Sequence, residues 1–174
     1  MKTFLVNPLL RWGWFFLILL GGCGFQLNRN QVGLPAGARH ISLAEVSNQT
    51  FIPRLDIDLK QRLAGLFSRA SVPVKSVQAA DLAFKVVIVN STQSREDLAE
   101  FNGQTYRFVV IHTALLSVTD NRTGKMLFDK APVDGRFDFE TQSTQLTTDQ
   151  TLEARRKALD QLAQGLANKL TQNF

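Results

Sequence analysis

The 174-residue sequence has very few of the side chains on which catalysis and metal binding usually depend. It contains one cysteine and two histidines, His40 and His112, and these are not spaced as metal ligands are. It also lacks a Gly-x-Ser-x-Gly turn, a Ser-x-x-Lys pair and a glycine-rich phosphate loop. We therefore expect a protein that is not an enzyme and that holds no cofactor and no metal.

A strong charge of either sign is also missing. The chain has 20 Lys+Arg and 15 Asp+Glu, and two of the bases precede the single cysteine. The longest run of bases, Arg155-Arg156-Lys157, lies in a segment with helical spacing, where a solvated helix face is the ordinary explanation. The sequence therefore predicts no nucleic-acid partner.

No hydrophobic run is long enough to span a membrane. The apolar segment 12–20 has roughly nine residues, which cover only about half of a ~30 Å hydrocarbon core. It follows two bases and no acid, as in a secretory signal peptide. The residues Leu20-Gly21-Gly22-Cys23 then fit a lipobox, in which Cys23 would be S-lipidated, with palmitate as the expected label, and become the mature N-terminus. The alternative is an ordinary buried cysteine.

The lipobox divides the chain into three predicted parts. These are a signal peptide over 1–22, a lipidated N-terminus and tether over 23–37, and one domain over 38–174, whose length fits a single core. Gly24 stands where an aspartate commonly retains lipoproteins in the inner membrane. We therefore expect a protein anchored by lipid to the periplasmic side of the outer membrane.

Two segments have the apolar spacing of amphipathic helices. The first is predicted over 53–70, with Pro53 as its first residue and a stop before Pro73. The second is predicted over 149–171, and Thr147 and Gln150 before it have the form of a capping box.

Four further segments have the alternating pattern of strands, and the last of them is interrupted near Pro132. The turn residues 120–124 join the last two strands in a hairpin. The predicted strands are 40–46, 82–92, 104–119 and 125–140. The predicted fold class is α+β, with two helices packed on a four-stranded mixed or antiparallel sheet, an α/β sandwich.

A few polar residues inside these strands have both a structural and a chemical interpretation. His112 lies among apolar residues, which favours a packed core histidine over a catalytic base or a metal ligand. Asp134, Asp138 and Glu140 alternate along one strand and so share a face. A solvated strand face is the favoured explanation for them, and an acid–base pair is the alternative.

The order of these features resembles the LptE family, the lipoproteins of the lipopolysaccharide-assembly complex. The motifs are Cys23-Gly24-Phe25-Gln26-Leu27, Leu34-Pro35 and Asn102-Gly103-Gln104-Thr105, followed by the C-terminal helix. The resemblance covers nearly all of the mature chain. It implies an α/β sandwich that plugs the outer-membrane β-barrel protein LptD, supports its assembly and takes part in delivering lipopolysaccharide to the cell surface.

The resemblance also implies basic lipopolysaccharide contacts in two loops, but this sequence has none at the matching positions. Those positions are occupied by Glu100-Phe101-Asn102 and by Gln145-Leu146-Thr147-Thr148. We therefore predict that the nearby Arg95, Arg107 and Arg136 contact lipid phosphates instead, since a guanidinium pairs bidentately with phosphate. The alternative is that these arginines form a solvated rim.

One face of the predicted sheet could be left uncovered, because both helices could pack on the other face. The uncovered face would carry apolar residues and form an exposed patch that a partner could cover. The residues predicted for this interface are Val87, Val89, Val109, Ile111 and Leu115. The alternative is that the helices divide between the faces and leave no patch.

Two other functions remain open at this stage. An outer-membrane lipoprotein could be an adaptor of another envelope assembly machine, or a hydrolase on a lipid anchor. The hydrolase would need a nucleophile or metal group, for which the sequence gives no motif. Co-purification with a large β-barrel protein would distinguish an LptE-like protein from an adaptor.

Overall fold

The polypeptide folds as four strands and two long helices in the order β1–α1–β2–β3–β4–α2. The computed structural model describes residues 34–100 and 103–172. The elements are β1 (Ile41–Asn48), α1 (Leu55–Arg69), β2 (Leu82–Glu100), β3 (Gly103–Asp120), β4 (Lys125–Thr141) and α2 (Thr148–Gln172). The predicted signal peptide, the lipobox with Cys23 and most of the tether lie outside the described residues.

The strands form one mixed sheet in the order β1-β2-β3-β4. β1 pairs with β2 in parallel, and the two following pairs are antiparallel. A parallel pair needs a crossover connection, and α1 supplies it. The turn between Asp120 and Lys125 contains Gly124 with a φ of 69°, a left-handed conformation that favours glycine. The predicted α+β class is confirmed.

Both helices pack on the same face of the sheet, as the sequence allowed. α1 buries Leu59, Leu63 and Phe67, and the Phe67 ring meets the Phe84 ring edge-on with 5.6 Å between centroids. α2 buries a longer stripe against the same sheet face: Ala158, Leu159, Leu162, Leu166 and Leu170. These side chains and the inward residues of the strands form the main core of the domain.

A glycine allows α2 to approach β4 closely. A Cβ added to Gly135 would overlap the backbone oxygen of Ala158 and the backbone nitrogen of Leu162. Gly165 on the helix faces the Val133 side chain in the same interface. The absence of a side chain at Gly135 therefore sets the distance between this helix and the sheet.

The capping box at the start of α2 is confirmed. The Gln150 backbone nitrogen donates to the Thr147 hydroxyl over 3.2 Å, and the Thr147 nitrogen donates to the Gln150 side-chain oxygen over 3.0 Å. The start of α1 differs from the prediction. It begins at Leu55, two residues after Pro53, because Arg54 adopts the left-handed conformation with a φ of 67°.

The largest error concerns the segment 93–104, which was predicted to be a loop. β2 continues to Glu100 and β3 begins at Gly103, so nearly all of this segment is paired strand. We call the paired hairpin over 92–100 and 103–111 the hairpin arm. Within it, the side chains of residues 92–97 are exposed on both faces of the sheet. This part of β2 has no apolar alternation, because its own side chains are exposed on both faces, and its pairing with β3 therefore leaves no pattern in its sequence.

Four register shifts interrupt the simple alternation of the strands, and one of them lies between Met126 and Phe128 of β4. Ala44 and Val89 have no partner in their ladders, and an extra residue lies in β4 next to Lys130, whose φ is 50°. The bulge at Lys130 accounts for the break in β4 that was predicted near Pro132. Each bulge exchanges the two faces for the residues that follow it.

Candidate functional site

The face of the sheet opposite the helices is the candidate functional surface, which we call the open face. No helix or strand in the described part of the chain covers it. Ile111 and Leu115 of β3 and Val87 of β2 lie on this face and are half-buried. Val109 is also on this face but is only 3% exposed, between Ser94 and Asp138 on the neighbouring strands. The centre of the open face is therefore apolar.

Ion pairs border this apolar centre. Arg107 on β3 bonds to Glu140 on β4 over 2.7 Å and lies 3.8 Å from Glu96 on β2. The hydrogen bond to Glu140 raises the pKa of Arg107 above its ordinary value. Lys85 and Glu45 form a further pair over 2.7 Å. The border is thus polar and contains paired charges.

Val89 takes a different position from the other residues predicted for the interface. It is the unpaired residue of the β2 bulge between Ile88 and Asn90, and it is half-buried. Four of the five predicted residues, Val87, Val109, Ile111 and Leu115, lie on one face by register.

The three predicted phosphate-binding arginines do not form one cluster. Arg107 and Arg136 lie on the open face, with the Arg136 Nε 3.5 Å from Asp138. Arg95 points to the helix side because the bulge at Val89 has shifted β2 by one residue. It donates to the backbone oxygen of Thr144 over 3.0 Å and lies 5.1 Å from the Tyr106 ring centroid.

These contacts connect Arg95 to the loop before α2. The hairpin arm and this loop lie at the same end of the sheet, and the turn after Asp120 lies at the other end. All three arginines have a carboxylate partner, since Arg95 also lies 3.2 Å from Asp97. A phosphate would therefore have to compete with an existing ion pair at each position.

His112 is a core residue, as predicted. It has no exposed surface, and its Nε2 lies 3.2 Å from the backbone oxygen of Arg155 on α2. Its Nδ1 has no hydrogen-bond partner. Burial lowers the pKa of His112 below its ordinary value of 6.5, so the ring is neutral near pH 7. A buried ring beneath a helix cannot reach a substrate in solution.

The alternating carboxylates also occupy the predicted face. Asp134, Asp138 and Glu140 are exposed residues of the open face on β4. Asp138 and Glu140 pair with Arg136 and Arg107, respectively. These ion pairs are what a solvated strand face would contain.

Sequence reasoning missed a polar cluster at the end of the sheet where β1 begins. Asp81 accepts hydrogen bonds from the backbone nitrogens of Arg39 and His40 over 2.7 and 3.0 Å, and these bonds lower its pKa. Buried Asp120 bonds the Arg122 guanidinium over 2.9 Å, which lowers the pKa of Asp120. The bonds fix the ends of β1, β2 and β3. Only the turn residues of 120–124 hinted at this cluster.

A second missed feature is an aromatic row at the other end of the helix-covered face. Phe108 and Phe137 each stack on Phe139 with 5.9 Å between centroids, and the Lys157 Nζ lies 5.0 Å from the Phe137 ring centroid. A shallow groove of about 170 Å³ follows the row along α2. Alternate phenylalanines at 137 and 139 were the available signal.

Residues 34–100 and 103–172 contain neither a metal-binding cluster nor a membrane-spanning helix. No group of three or more His, Cys, Asp or Glu side chains there could hold a metal ion. None of the helices formed by these residues combines the length and hydrophobicity needed to cross a bilayer. The fold and the open face define a two-layer α/β protein with one sheet face that no described element covers.

Comparison with known families identifies the family to which this α/β protein belongs. Residues 38–171 match the family LptE, described as lipopolysaccharide-assembly. The chain belongs to the LptE family, and the resemblance inferred from the sequence is confirmed. It is accordingly an outer-membrane lipoprotein of lipopolysaccharide assembly, and its family is non-enzymatic.

Several solved lipoproteins have similar structures. A minor lipoprotein from Acinetobacter baumannii is 17% identical, with 78% of this chain and 94% of that chain covered at a TM-score of 0.49. The rare lipoprotein B from Shewanella oneidensis is 15% identical, with 75% and 92% covered at a TM-score of 0.45. No curated protein sequence matches the chain.

Proposed function

We propose that the open face binds the inner wall of the β-barrel protein LptD, where the protein plugs the barrel, supports its assembly and takes part in delivering lipopolysaccharide to the cell surface. The observation that carries this proposal is the placement of both helices on one face of the sheet, which leaves the apolar centre of the other face uncovered. Membership of the LptE family supports LptD as the partner.

The composition of the open face supports a protein contact. Specific interfaces have an apolar centre and a polar rim. Here Ile111 and Leu115 occupy the centre, and the Arg107–Glu140 and Lys85–Glu45 pairs occupy the border. Because these charges are already paired, covering them does not separate a charge from its partner.

The test places acidic side chains at the centre of the open face. An Ile111→Asp, Leu115→Asp variant is expected to lose most co-purification with LptD in mild detergent, because each carboxylate would be desolvated in the interface. Val109 is left unchanged, since it is buried in the free protein and a charge there would threaten folding. Ile57→Asp is the matched control, because Ile57 is 44% exposed on α1.

Circular dichroism separates binding from folding in this experiment. The double variant is expected to keep the helix and sheet signal of the unchanged protein. Undiminished co-purification of the double variant would overturn the proposal. So would an equal loss with Ile57→Asp, because the effect would then not belong to the open face.

We further propose that Cys23 carries the lipid that anchors the protein on the periplasmic side of the outer membrane. The support is its position directly after Leu20-Gly21-Gly22 and the absence of any other cysteine. Cys23→Ala is expected to abolish palmitate labelling and to slow removal of the signal peptide. Palmitate labelling that persists in the Ala variant would contradict the assignment.

We also propose that Arg107 and Arg136 on the open face, and Arg95 on the hairpin arm, contact lipopolysaccharide phosphates. Their support is the guanidinium fork, which matches phosphate geometry. An Arg107→Ala, Arg136→Ala double variant and a separate Arg95→Ala variant are both expected to bind lipopolysaccharide more weakly. Separate variants are needed because Arg95 also holds the loop at Thr144. Unchanged binding in both would exclude the contact.

A further inference from the structure

The end of the sheet where β1 begins gathers three chain segments into one surface. We call this surface the tether end, and its segments are 34–40, 71–81 and 120–126. The Lys75 nitrogen donates to the Ile41 oxygen over 2.8 Å. The Asn121 side chain donates to the backbone oxygens of Val77 and Ala80 over 3.0 and 2.9 Å. These hydrogen bonds hold the loops of the tether end together.

The tether end has a positive surface. Its three segments contain four Lys and Arg residues and two acids. All four bases are exposed: Arg39, Lys75, Arg122 and Lys125. Both acids, Asp81 and Asp120, already accept hydrogen bonds from neighbouring groups of this end. Within the described part of the chain, no carboxylate forms an ion pair with Arg39, Lys75 or Lys125.

Apolar side chains are exposed beside these bases. Among the side chains that the structure describes, six large apolar ones are well exposed, and three of the six lie at the tether end. Val74 and Val77 are each 42% exposed, and Met126 is 53% exposed. A surface that combines bases with exposed apolar groups suits a membrane interface, because apolar groups enter the headgroup layer and bases are attracted to anionic lipid.

The hairpin arm, at the opposite end of the sheet, has an excess of acids. Residues 92–111 contain three acids and two bases: Glu96, Asp97, Glu100, Arg95 and Arg107. An anionic leaflet attracts the tether end and repels the tip of the arm. The charge distribution of the domain therefore favours one orientation on such a surface.

The length of chain before the domain also limits which end can rest on a membrane. The ten residues between Cys23 and Leu34 span at most about 36 Å. Leu34 is joined to Arg39 through the short turn Pro35–Gly37, so it stays near the tether end. β3 has 18 residues and is about 60 Å long. A domain that stood on the tip of the hairpin arm would hold Leu34 too far from the bilayer for a lipid on Cys23 to reach it.

We propose that the tether end docks on the phosphate headgroups of the phospholipid leaflet that holds the lipid of Cys23. The bases of this end pair with lipid phosphate, and Val74, Val77 and Met126 enter the headgroup layer. The inference rests on the proposed lipid at Cys23. It is compatible with binding of LptD, because the tether end consists of loops at one end of the sheet and leaves the open face free.

Fluorescence quenching at two engineered thiols tests the docking. The mature full-length protein is reconstituted in vesicles of phosphatidylethanolamine and phosphatidylglycerol that contain a nitroxide-headgroup lipid. One variant carries a thiol-linked fluorophore at Val77→Cys. The matched control carries it at Phe51→Cys, because Phe51 is also exposed but follows β1 at its far end, about 26 Å away. A lipid on the Cys23 sulfur leaves the added cysteine as the thiol that is labelled.

The fluorophore at Val77→Cys is expected to be quenched at least about fivefold more than the one at Phe51→Cys, since each base near an anionic surface favours that orientation about fivefold. Equal quenching of the two variants would overturn the proposal. Stronger quenching at Phe51→Cys would also overturn it, because the loop after β1 would then be the part that meets the membrane.

Charge reversal separates attraction by the tether end from attraction by the whole domain. A triple change at this end is expected to lower the quenching of Val77→Cys at least about fivefold, namely Arg39→Glu, Lys75→Glu and Lys125→Glu. The matched control reverses three exposed bases elsewhere and is expected to keep the quenching: Arg54→Glu, Lys60→Glu and Arg156→Glu. An equal loss in both triple variants would contradict a docking surface at the tether end.

Flotation of the unchanged protein with the vesicles at about 1 M NaCl reports the lipid on Cys23 separately, because the attraction between charges is screened at this salt concentration. Flotation without quenching at Val77→Cys would reject the docking and leave the lipid assignment intact. Loss of flotation would reject the lipid on Cys23 together with the docking that rests on it. The vesicles contain no LptD, so neither result bears on the open face.

Discussion

The two faces of the sheet are built from alternate residues of the same strands, and they differ in what covers them. Leu116 points to the helices and has no exposed surface, and its neighbour Leu115 points to the open face and is half-buried. The helix-covered face is continuous with a core that contains both helices. One face therefore stabilises the fold, and the other is free to serve binding.

The largest effect is expected where α2 lies closest to the sheet. Gly135→Val should prevent α2 from docking, because even a single Cβ would overlap the helix backbone at Ala158 and Leu162. We expect loss of a cooperative thermal transition, measured by circular dichroism. The matched control is Asp134→Val, because Asp134 is an exposed residue of the same strand. Gly124→Val would not serve, since a side chain is strained at the φ of 69° that Gly124 adopts. A normal transition in Gly135→Val would contradict this account of the interface.

Truncating the two neighbouring leucines of β3 compares the faces directly. Leu116→Ala should lower the free energy of unfolding by about 2–5 kcal/mol, because it leaves a cavity in the core. Leu115→Ala should cost clearly less, since its side chain is already partly hydrated. Urea unfolding of the two variants measures both values. Equal losses would mean that the open face is packed as tightly as the core.

Acidification should weaken the helix-covered face through His112. Its pKa is lowered by burial, so the folded state favours the neutral ring and the unfolded chain binds the proton more readily. The stability that depends on a neutral ring is complete above the ordinary value of 6.5 and is lost as the pH falls below it. Urea unfolding between pH 8 and pH 5 should show this loss.

The variant His112→Gln provides the control for the acid effect. Gln cannot titrate and can still donate a hydrogen bond to the Arg155 oxygen, so the pH dependence between 8 and 5 should flatten. The lowered pKa values of Asp81 and Asp120 give a separate loss below 3.8, which this variant should keep. An unchanged slope between pH 8 and 5 in His112→Gln would assign the effect to other groups.

The smallest effect is expected at the start of α2. Thr147→Ala removes the hydroxyl that accepts from the Gln150 nitrogen and should cost about 1 kcal/mol. Thr148→Ala is the matched control, because Thr148 is the first helical residue and the capping oxygen belongs to Thr147. Thermal unfolding can resolve the difference. A larger loss for Thr148→Ala would show that the cap is not the stabilising contact.

The sequence predicted well wherever one face of an element is buried. The stripes of α1 and α2 and the alternation in β3 follow from burial, and each element was found within a few residues of its true bounds. Placement of both helices on one face was one of the two arrangements that the sequence left open. The apolar residues on both sides of β3 predicted only that one face would stay exposed if both helices packed on the other.

Features that depend on backbone geometry were not predictable in this way. The bulge at Val89 has no distinctive residue, yet it separates Arg95 from Arg107 and Arg136. Without it, odd-numbered residues of β2 would stay on the open face, and all three arginines would share one surface. Gly135 gave no signal either, since a glycine within a strand is equally consistent with a bulge or a close contact.

The parallel pairing of β1 with β2 also determines the order in which the domain can fold. β2, β3 and β4 are joined by short turns and can pair soon after they meet, whereas β1 must wait until β2 is in place. During synthesis β1 and α1 emerge first, with their apolar residues uncovered and their partner strand still unmade. The N-terminal part of the domain is therefore the part that most needs protection from aggregation before the chain is complete.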